Sequence, residues 1–240
     1  MKSFKYIVFV FSVLFLLSSK YAVSQSDNMD YKLGMVKVLS NDNYEAIKYF
    51  GLAIKKDKDL VLAYYQRGVC YTKVGETEKA IQDFSVVIKK TPNNYQAYTN
   101  RGQLYYRTSE YRKAKEDFDK SISLKDDNAY TYLYRSNVSI KLRSYNDALK
   151  DADKVLSYLP SHKGAHKNAA ISATELKKYK IALSHYDYLL VQSPDNANYY
   201  ALRGKVYLKS GNNAAACKDF KQSSALGSGE AKFDMENNCK

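Results

Sequence analysis

Shifted by 34 residues, this sequence falls into register with itself, through six consecutive blocks with no insertion or deletion. In a frame running from Asp27 to Glu230, the twentieth place of every block is alanine: Ala46, Ala80, Ala114, Ala148, Ala182 and Ala216. The eighth place is always small, reading Gly34, Gly68, Gly102, Ser136, Ala170 and Gly204. The twenty-fourth reads Phe50, Phe84, Phe118, Ala152, Tyr186 and Phe220, and Pro92, Pro160 and Pro194 all stand at the thirty-second. Such a period dictates an architecture. One block is a single supersecondary unit, too small to bury its own apolar face, and it has to stack on its neighbours.

The columns read as a pair of helices. Alanine at place twenty and a small residue at place eight sit on opposite helices, where only short side chains let two backbones approach closely. Tyr64, Tyr98, Tyr132 and Tyr200 at place four lie seven residues before place eleven, held by Tyr71, Tyr105 and Tyr207. That spacing puts them on one helical face. The prolines, beside Asn93-Asn94 and Asp195-Asn196, stop the second helix, and Gly75, Ser109 and Gly211 mark the turn within a pair. Only three prolines and ten glycines in 240 residues also argue against a turn-dense β fold.

These residues resemble the tetratricopeptide repeat family. The pattern is met best over Val61 to Asn94, by Tyr64, Arg67-Gly68, Tyr71, Ala80, Phe84 and Pro92. The resemblance implies an all-α fold, a right-handed superhelical solenoid of six helix-turn-helix repeats at 27–60, 61–94, 95–128, 129–162, 163–196 and 197–230. The first is degenerate, with Asp30 and Lys37 in aromatic places. The fourth and fifth drift, with Ser139 and Ala173 in the tyrosine column and His166 in the front aromatic one. A 35-residue RNA-reading repeat would lose register over six blocks. Residues 231–240 follow as a C-terminal cap, in which Ala231, Met235 and Cys239 recur every four residues and form a stripe for the last pair.

Residues 1–24 read as an export signal: Lys2 and Lys5, then the apolar run Tyr6 to Leu17, then small polar residues with Ala22-Val23-Ser24 before a cut. An uncleaved anchor is the alternative, although twelve helical residues reach only about 18 Å against a hydrocarbon core of roughly 30 Å. A bacterial periplasm or cell envelope is the expected location, and secretion otherwise. No stable membrane span is expected once the signal is removed. The formal net charge is +13, but acids interleave with the lysines, as in Lys115-Glu116-Asp117. That is a solvated helix surface rather than a nucleic-acid face, so nucleic acid is disfavoured and an acidic protein or peptide favoured.

Of three cysteines, Cys217 lies on the last core helix and Cys239 on the cap that packs there, so an oxidising compartment is expected to pair them, with two buried thiols the alternative. A 22-residue loop so closed stabilises by roughly 3 kcal/mol on the chain-entropy account. Cys70, between Val69 and Tyr71, reads as packing. His162 and His166 are four apart, yet one falls in the turn after Pro160 and the other in a core column, so no metal site is read from them. His185 stands alone in the sequence. Asn137-Val138-Ser139 fits a glycosylation acceptor but lies mid-helix. No HExxH, GxSxG, phosphate-loop or CxxC pattern occurs, so neither a catalytic residue nor a cofactor is expected.

The resemblance implies a non-catalytic interaction scaffold whose first helices line a concave groove, with places five, nine, twelve and thirteen facing inward. Place thirteen holds Lys73, Arg107, Lys141 and Lys209, broken by Glu175, and neighbouring inward places hold Tyr65, Gln103, Tyr106 and Asn137. The same cations also suit a helix C-terminus, where each is worth about 0.3–1 kcal/mol against the helix dipole. The carboxylate-clamping version of the family is broken by Thr99 with Asn100 and Tyr130 with Tyr134. An envelope assembly factor acting through oligomerisation, or a binder of polyanions or glycans, are the alternative functions.

Overall fold

The computed structural model describes residues 28–239. The signal read in residues 1–24 lies outside the described residues. Thirteen helices follow one another without a strand among the described residues. They are α1 (Met29–Leu39), α2 (Asn43–Lys56), α3 (Val61–Val74), α4 (Thr77–Lys90), α5 (Tyr95–Arg107), α6 (Tyr111–Leu124), α7 (Ala129–Lys141), α8 (Tyr145–Tyr158), α9 (Lys163–Glu175), α10 (Tyr179–Gln192), α11 (Ala197–Lys209), α12 (Asn213–Ala225) and α13 (Gly229–Asn238). The chain divides into two compact units, one ending at Leu104 and one beginning at Tyr105.

In the first unit, α1 packs on α2, α2 on α3 and α3 on α4, and α4 meets α5 in an apolar cluster that joins Phe84 to Ala97 and Leu104. The small residues explain why these helices come so close. A β-carbon built on Gly34 would stand 2.6 Å from the Phe50 ring, and one on Gly68 3.1 Å from Phe84. Ala46 and Ala80 are fully buried beside those rings, and burying each phenylalanine contributes about 1.5–3 kcal/mol. Two apolar clusters result, one around Ala46, Phe50 and Cys70, the next around Ala80, Phe84 and Leu104.

The second unit repeats the arrangement from α6 to α12, with each helix packed on the next. Ala114, Ala148, Ala182 and Ala216 are fully buried. At Gly204 an added β-carbon would lie 2.7 Å from Phe220. Helix α13 closes the end: Ala231 is buried with Ala201 and Phe220, Met235 packs on the same cluster, and Cys239 is disulfide-bonded to Cys217. Cys70 is a buried free thiol.

The turn inside each pair has one requirement that the sequence only half announces. Its fifteenth place always adopts positive φ, at Asn41, Gly75, Ser109, Arg143, Lys177 and Gly211. Two of six are glycine. Arginine and lysine hold the left-handed conformation at the other end of the cost scale, about 1–2 kcal/mol each.

Candidate partner-binding surface

The most regular polar feature is a column of arginines at place seven. Arg67 donates from Nε and Nη2 to both carboxylate oxygens of Asp83, each at 2.8 Å. Arg135 grips Asp151 in the same fork, at 2.8 and 2.6 Å, and reaches back with Nη1 to Asp119 at 2.8 Å. Arg203 does likewise with Asp219, both bonds at 2.7 Å, and with Asp187 at 2.6 Å. Arg101 donates to Ser85 Oγ at 2.9 Å. Arg135 and Arg203 therefore each bind one carboxylate 16 residues ahead, on their own pair, and another 16 residues behind, on the previous one, while Arg67 makes the forward bond and Arg101 the backward one. Asp83, Asp151 and Asp219 are buried, and bidentate geometry makes these the strong kind of ion pair. Bonds to Asp219 hold the Arg203 pKa above its ordinary value despite burial. The residues Arg67, Arg101, Arg135 and Arg203, with Asp83, Asp117, Asp151 and Asp219, recur at the block period.

The fifth block breaks the column. Ala169 stands where the arginine would be and His185 where the aspartate would be. His185 is not alone in the folded chain: its Nδ1 lies 2.9 Å from Nδ1 of His166. His166 Nε2 lies 2.9 Å from the Pro160 carbonyl, which can only accept, so that nitrogen carries the hydrogen and Nδ1 accepts from His185. The His166 ring stacks on Tyr188 with centroids 3.9 Å apart. His162, by contrast, caps α9, its Nδ1 accepting from the Ala165 amide at 3.2 Å. No cluster of three metal-ligating side chains occurs among the described residues.

The eight residues expected to face a partner divide between the units. In the first, Tyr65 is half-buried, its ring edge-on to Phe84 and its hydroxyl accepting from Asn100 Nδ2 at 3.1 Å. Gln103 is half-buried, and Lys73 is exposed in the last turn of α3. In the second, Tyr106 is half-buried against Tyr111, with ring centroids 5.7 Å apart. Arg107 and Lys141 are exposed at the ends of α5 and α7, and neither has an ion pair among the described residues. Asn137 accepts from Asn168 Nδ2 at 2.7 Å, which fixes its amide and leaves its own hydrogens open. Lys209 is spent differently: it binds Glu175 at 2.6 Å. The residue that broke the cationic ladder in sequence thus neutralises its next rung. Lys205 is bound by Glu230 and Asp234 of the cap.

Family models of the tetratricopeptide repeat match residues 62–94, 95–128 and 167–231, together more than half the chain. The chain belongs to the tetratricopeptide repeat (TPR) family. Solved TPR structures share its fold. YrrB, described as a TPR protein with an unusual peptide-binding site, superposes with a TM-score of 0.73 at 18% identity, over 78% of this chain and 97% of YrrB. MamA from Desulfovibrio magneticus RS-1 gives a TM-score of 0.66 at 16% identity, over 69% of this chain and 94% of its own. A TPR protein from Parabacteroides merdae gives 0.56 at 23% identity, over 88% and 83%. No curated protein matches the sequence. TPR repeats place the chain among protein–protein interaction scaffolds. No helix among the described residues is long and apolar enough to cross a membrane.

Proposed function

We propose that the first-helix face of the second unit holds an extended, acid-bearing segment of a partner protein, and that the TPR protein acts there without chemistry of its own. One observation carries this reading. Arg107 and Lys141 stand at the same place of successive repeats, exposed and without an ion pair among the described residues, whereas Lys209 at the equivalent place is already matched by Glu175. Two open guanidinium and ammonium groups beside a half-buried phenol suit charge-assisted bonds to carboxylates with aromatic contact to the chain between them. The preference for acids therefore belongs to the α5–α7 end of the face. YrrB is described as binding a peptide, which makes a peptide the first occupant to try here, although at 18% identity the likeness itself carries the fold alone. Export fits the Cys217–Cys239 bridge, since structural disulfides persist in oxidising compartments. The test is crosslinking capture in the native cell by wild type and by the variant Tyr106→Ala/Arg107→Ala/Lys141→Ala. Loss of one discrete partner by a variant that keeps its helical circular dichroism is the expected result. Equal capture would eliminate this face.

A second reading has its own observation. Met29, Leu33 and Val36 on α1 are 63%, 37% and 56% exposed and occupy places three, seven and ten, of which three and ten are buried in the second and third blocks, at Ala63, Cys70, Ala97 and Leu104. An end-on assembly through that stripe would make the mass in light scattering rise with concentration, and Val36→Lys would abolish the rise.

A further inference from the structure

The twenty-fourth place of the block is a packing position, and in α2, α4, α6 and α12 it holds phenylalanine. In α10 it holds Tyr186, which is 1% exposed. The ring fits because Ala170 and Ala173 face it, where other blocks put a larger side chain at place eleven. A buried phenol is expected to find a hydrogen-bond partner, and the Tyr186 hydroxyl has none among the described residues. It lines a cavity of about 130 Å³ that opens between α9 and α11. Ile171 and Leu202 form the apolar wall, and Glu175, Lys205 and Lys209 the rim.

The charged rim is already satisfied. Lys209 holds Glu175, Lys205 holds Glu230 and Asp234, and the Thr174 hydroxyl donates to the Ala170 carbonyl at 2.7 Å. That leaves the Tyr186 phenol as the neutral donor of the wall, with Lys205 and Lys209 at the rim each already neutralised by a carboxylate. Burial, then the Glu175 carboxylate, push its pKa well above the ordinary tyrosine value, so it stays a donor at any physiological pH. The size admits one side chain and no more, since engineered cavities of about 150 Å³ hold a single benzene. An entering carboxylate meets the Glu175 charge at the rim and competes with it for Lys209. An entering ammonium meets two lysines. A purely aliphatic group leaves the phenol unpaired, which is the costly outcome for a buried donor.

We propose that this cavity is an anchor subsite for one uncharged, amide-bearing side chain of a partner segment, of glutamine's size, whose carbonyl accepts from the Tyr186 hydroxyl while its stem lies on Ile171 and Leu202. This rests on the reading that the first-helix face of the second unit receives a partner, and it adds a neutral requirement at the α9–α11 end to the acidic one at the α5–α7 end.

The experiment titrates the purified protein with N-acetyl-Ala-X-Ala-amide peptides, X being Gln, Leu, Glu or Lys, and follows the Ile171 methyl resonance by NMR. The Gln peptide is expected to shift that resonance and to bind about three- to tenfold more tightly than the other three, the value of one neutral hydrogen bond. Tyr186→Phe, which restores the phenylalanine of the other blocks, removes the Gln advantage and leaves the Leu peptide unchanged. Glu175→Gln frees Lys209 and raises the affinity of the Glu peptide instead. Equal binding by all four peptides, no shift at Ile171, or an unaltered Gln preference in Tyr186→Phe overturns the subsite. The capture experiment with the Tyr106, Arg107 and Lys141 variant reads the other end of the face, so the subsite and the parent reading fail separately.

Discussion

Two neighbouring helix pairs of the second unit, α9–α10 and α11–α12, hold the same backbone arrangement by different chemistry. In α11–α12, Arg203 lies between Asp219 and Asp187, and Gly204 admits the Phe220 ring. In α9–α10, Ala169 joins an apolar cluster with Leu149 and Ala152, and His185 turns to His166. Alanines at 170 and 173 then leave space for Tyr186. The lesson is that the helix pair needs close approach and a buried apolar seam. The ion-pair stitch is an addition to that seam, and a pair that gives it up gains a cavity wall and a titratable contact.

The largest expected effect tests the stitch. Asp219→Ala leaves the Arg203 guanidinium, itself largely buried, with only an exposed partner, and should cost about 2–4 kcal/mol in urea unfolding. Asp187→Ala removes that exposed partner and should cost under about 1 kcal/mol. If His185→Ala in the unstitched pair costs as much as Asp219→Ala, the contrast between the two pairs is broken.

Next comes close approach. Gly204→Ala drives a methyl to 2.7 Å from Phe220 and should cost roughly 1–3 kcal/mol through overpacking. Ala170→Gly, the converse change in α9, should cost about 1 kcal/mol from helix propensity. The comparison sharpens if the first change lowers the cooperativity of thermal unfolding and the second does not.

The turns differ by a smaller amount. Lys177 carries φ 58° where Gly211 carries 83°. Lys177→Gly should stabilise by about 0.5–1 kcal/mol, and Gly211→Ala should destabilise by a similar amount, both read as shifts of the urea midpoint.

The smallest effect is a dependence on pH. Burial, and then the neighbouring His166 ring, hold the His185 pKa below its ordinary 6.5. As pH falls past that value the unfolded chain takes up the proton first, so the folded form loses stability until the folded ring protonates as well. Stability measured from pH 7.5 downwards should fall more steeply in wild type than in the double variant Ala169→Arg/His185→Asp, which rebuilds the stitch. Parallel curves would remove His185 as the cause.

The helical repeat was legible because packing requirements are local and identical in every block. A ring at place twenty-four needs a small residue at place eight, and a helix pair needs alanine at place twenty, so the constraint writes itself into the sequence at the repeat period. The turn conformation at place fifteen was half legible, because Arg143 and Lys177 adopt it without the glycine that announces it. The arginine stitch was legible too, but only to a reading that compared charged columns as well as apolar ones.

What tertiary structure alone decided is the state of each exposed or polar group. Lys209 and Arg107 share a place in the repeat, yet one is bound by Glu175 and the other is open. His166 and His185 are 19 residues apart and share a hydrogen bond. Tyr186 looks like a conservative replacement of phenylalanine, yet it brings an unpaired hydroxyl to a cavity. The physical reason is one of precision. Burial of a ring tolerates shifts of a fraction of an ångström and survives averaging over a column, so periodicity alone determines it. A hydrogen bond or ion pair depends on whether two particular atoms come within about 3 Å, and that distance is set by the rotamers and helix contacts of one block rather than by the repeat they share.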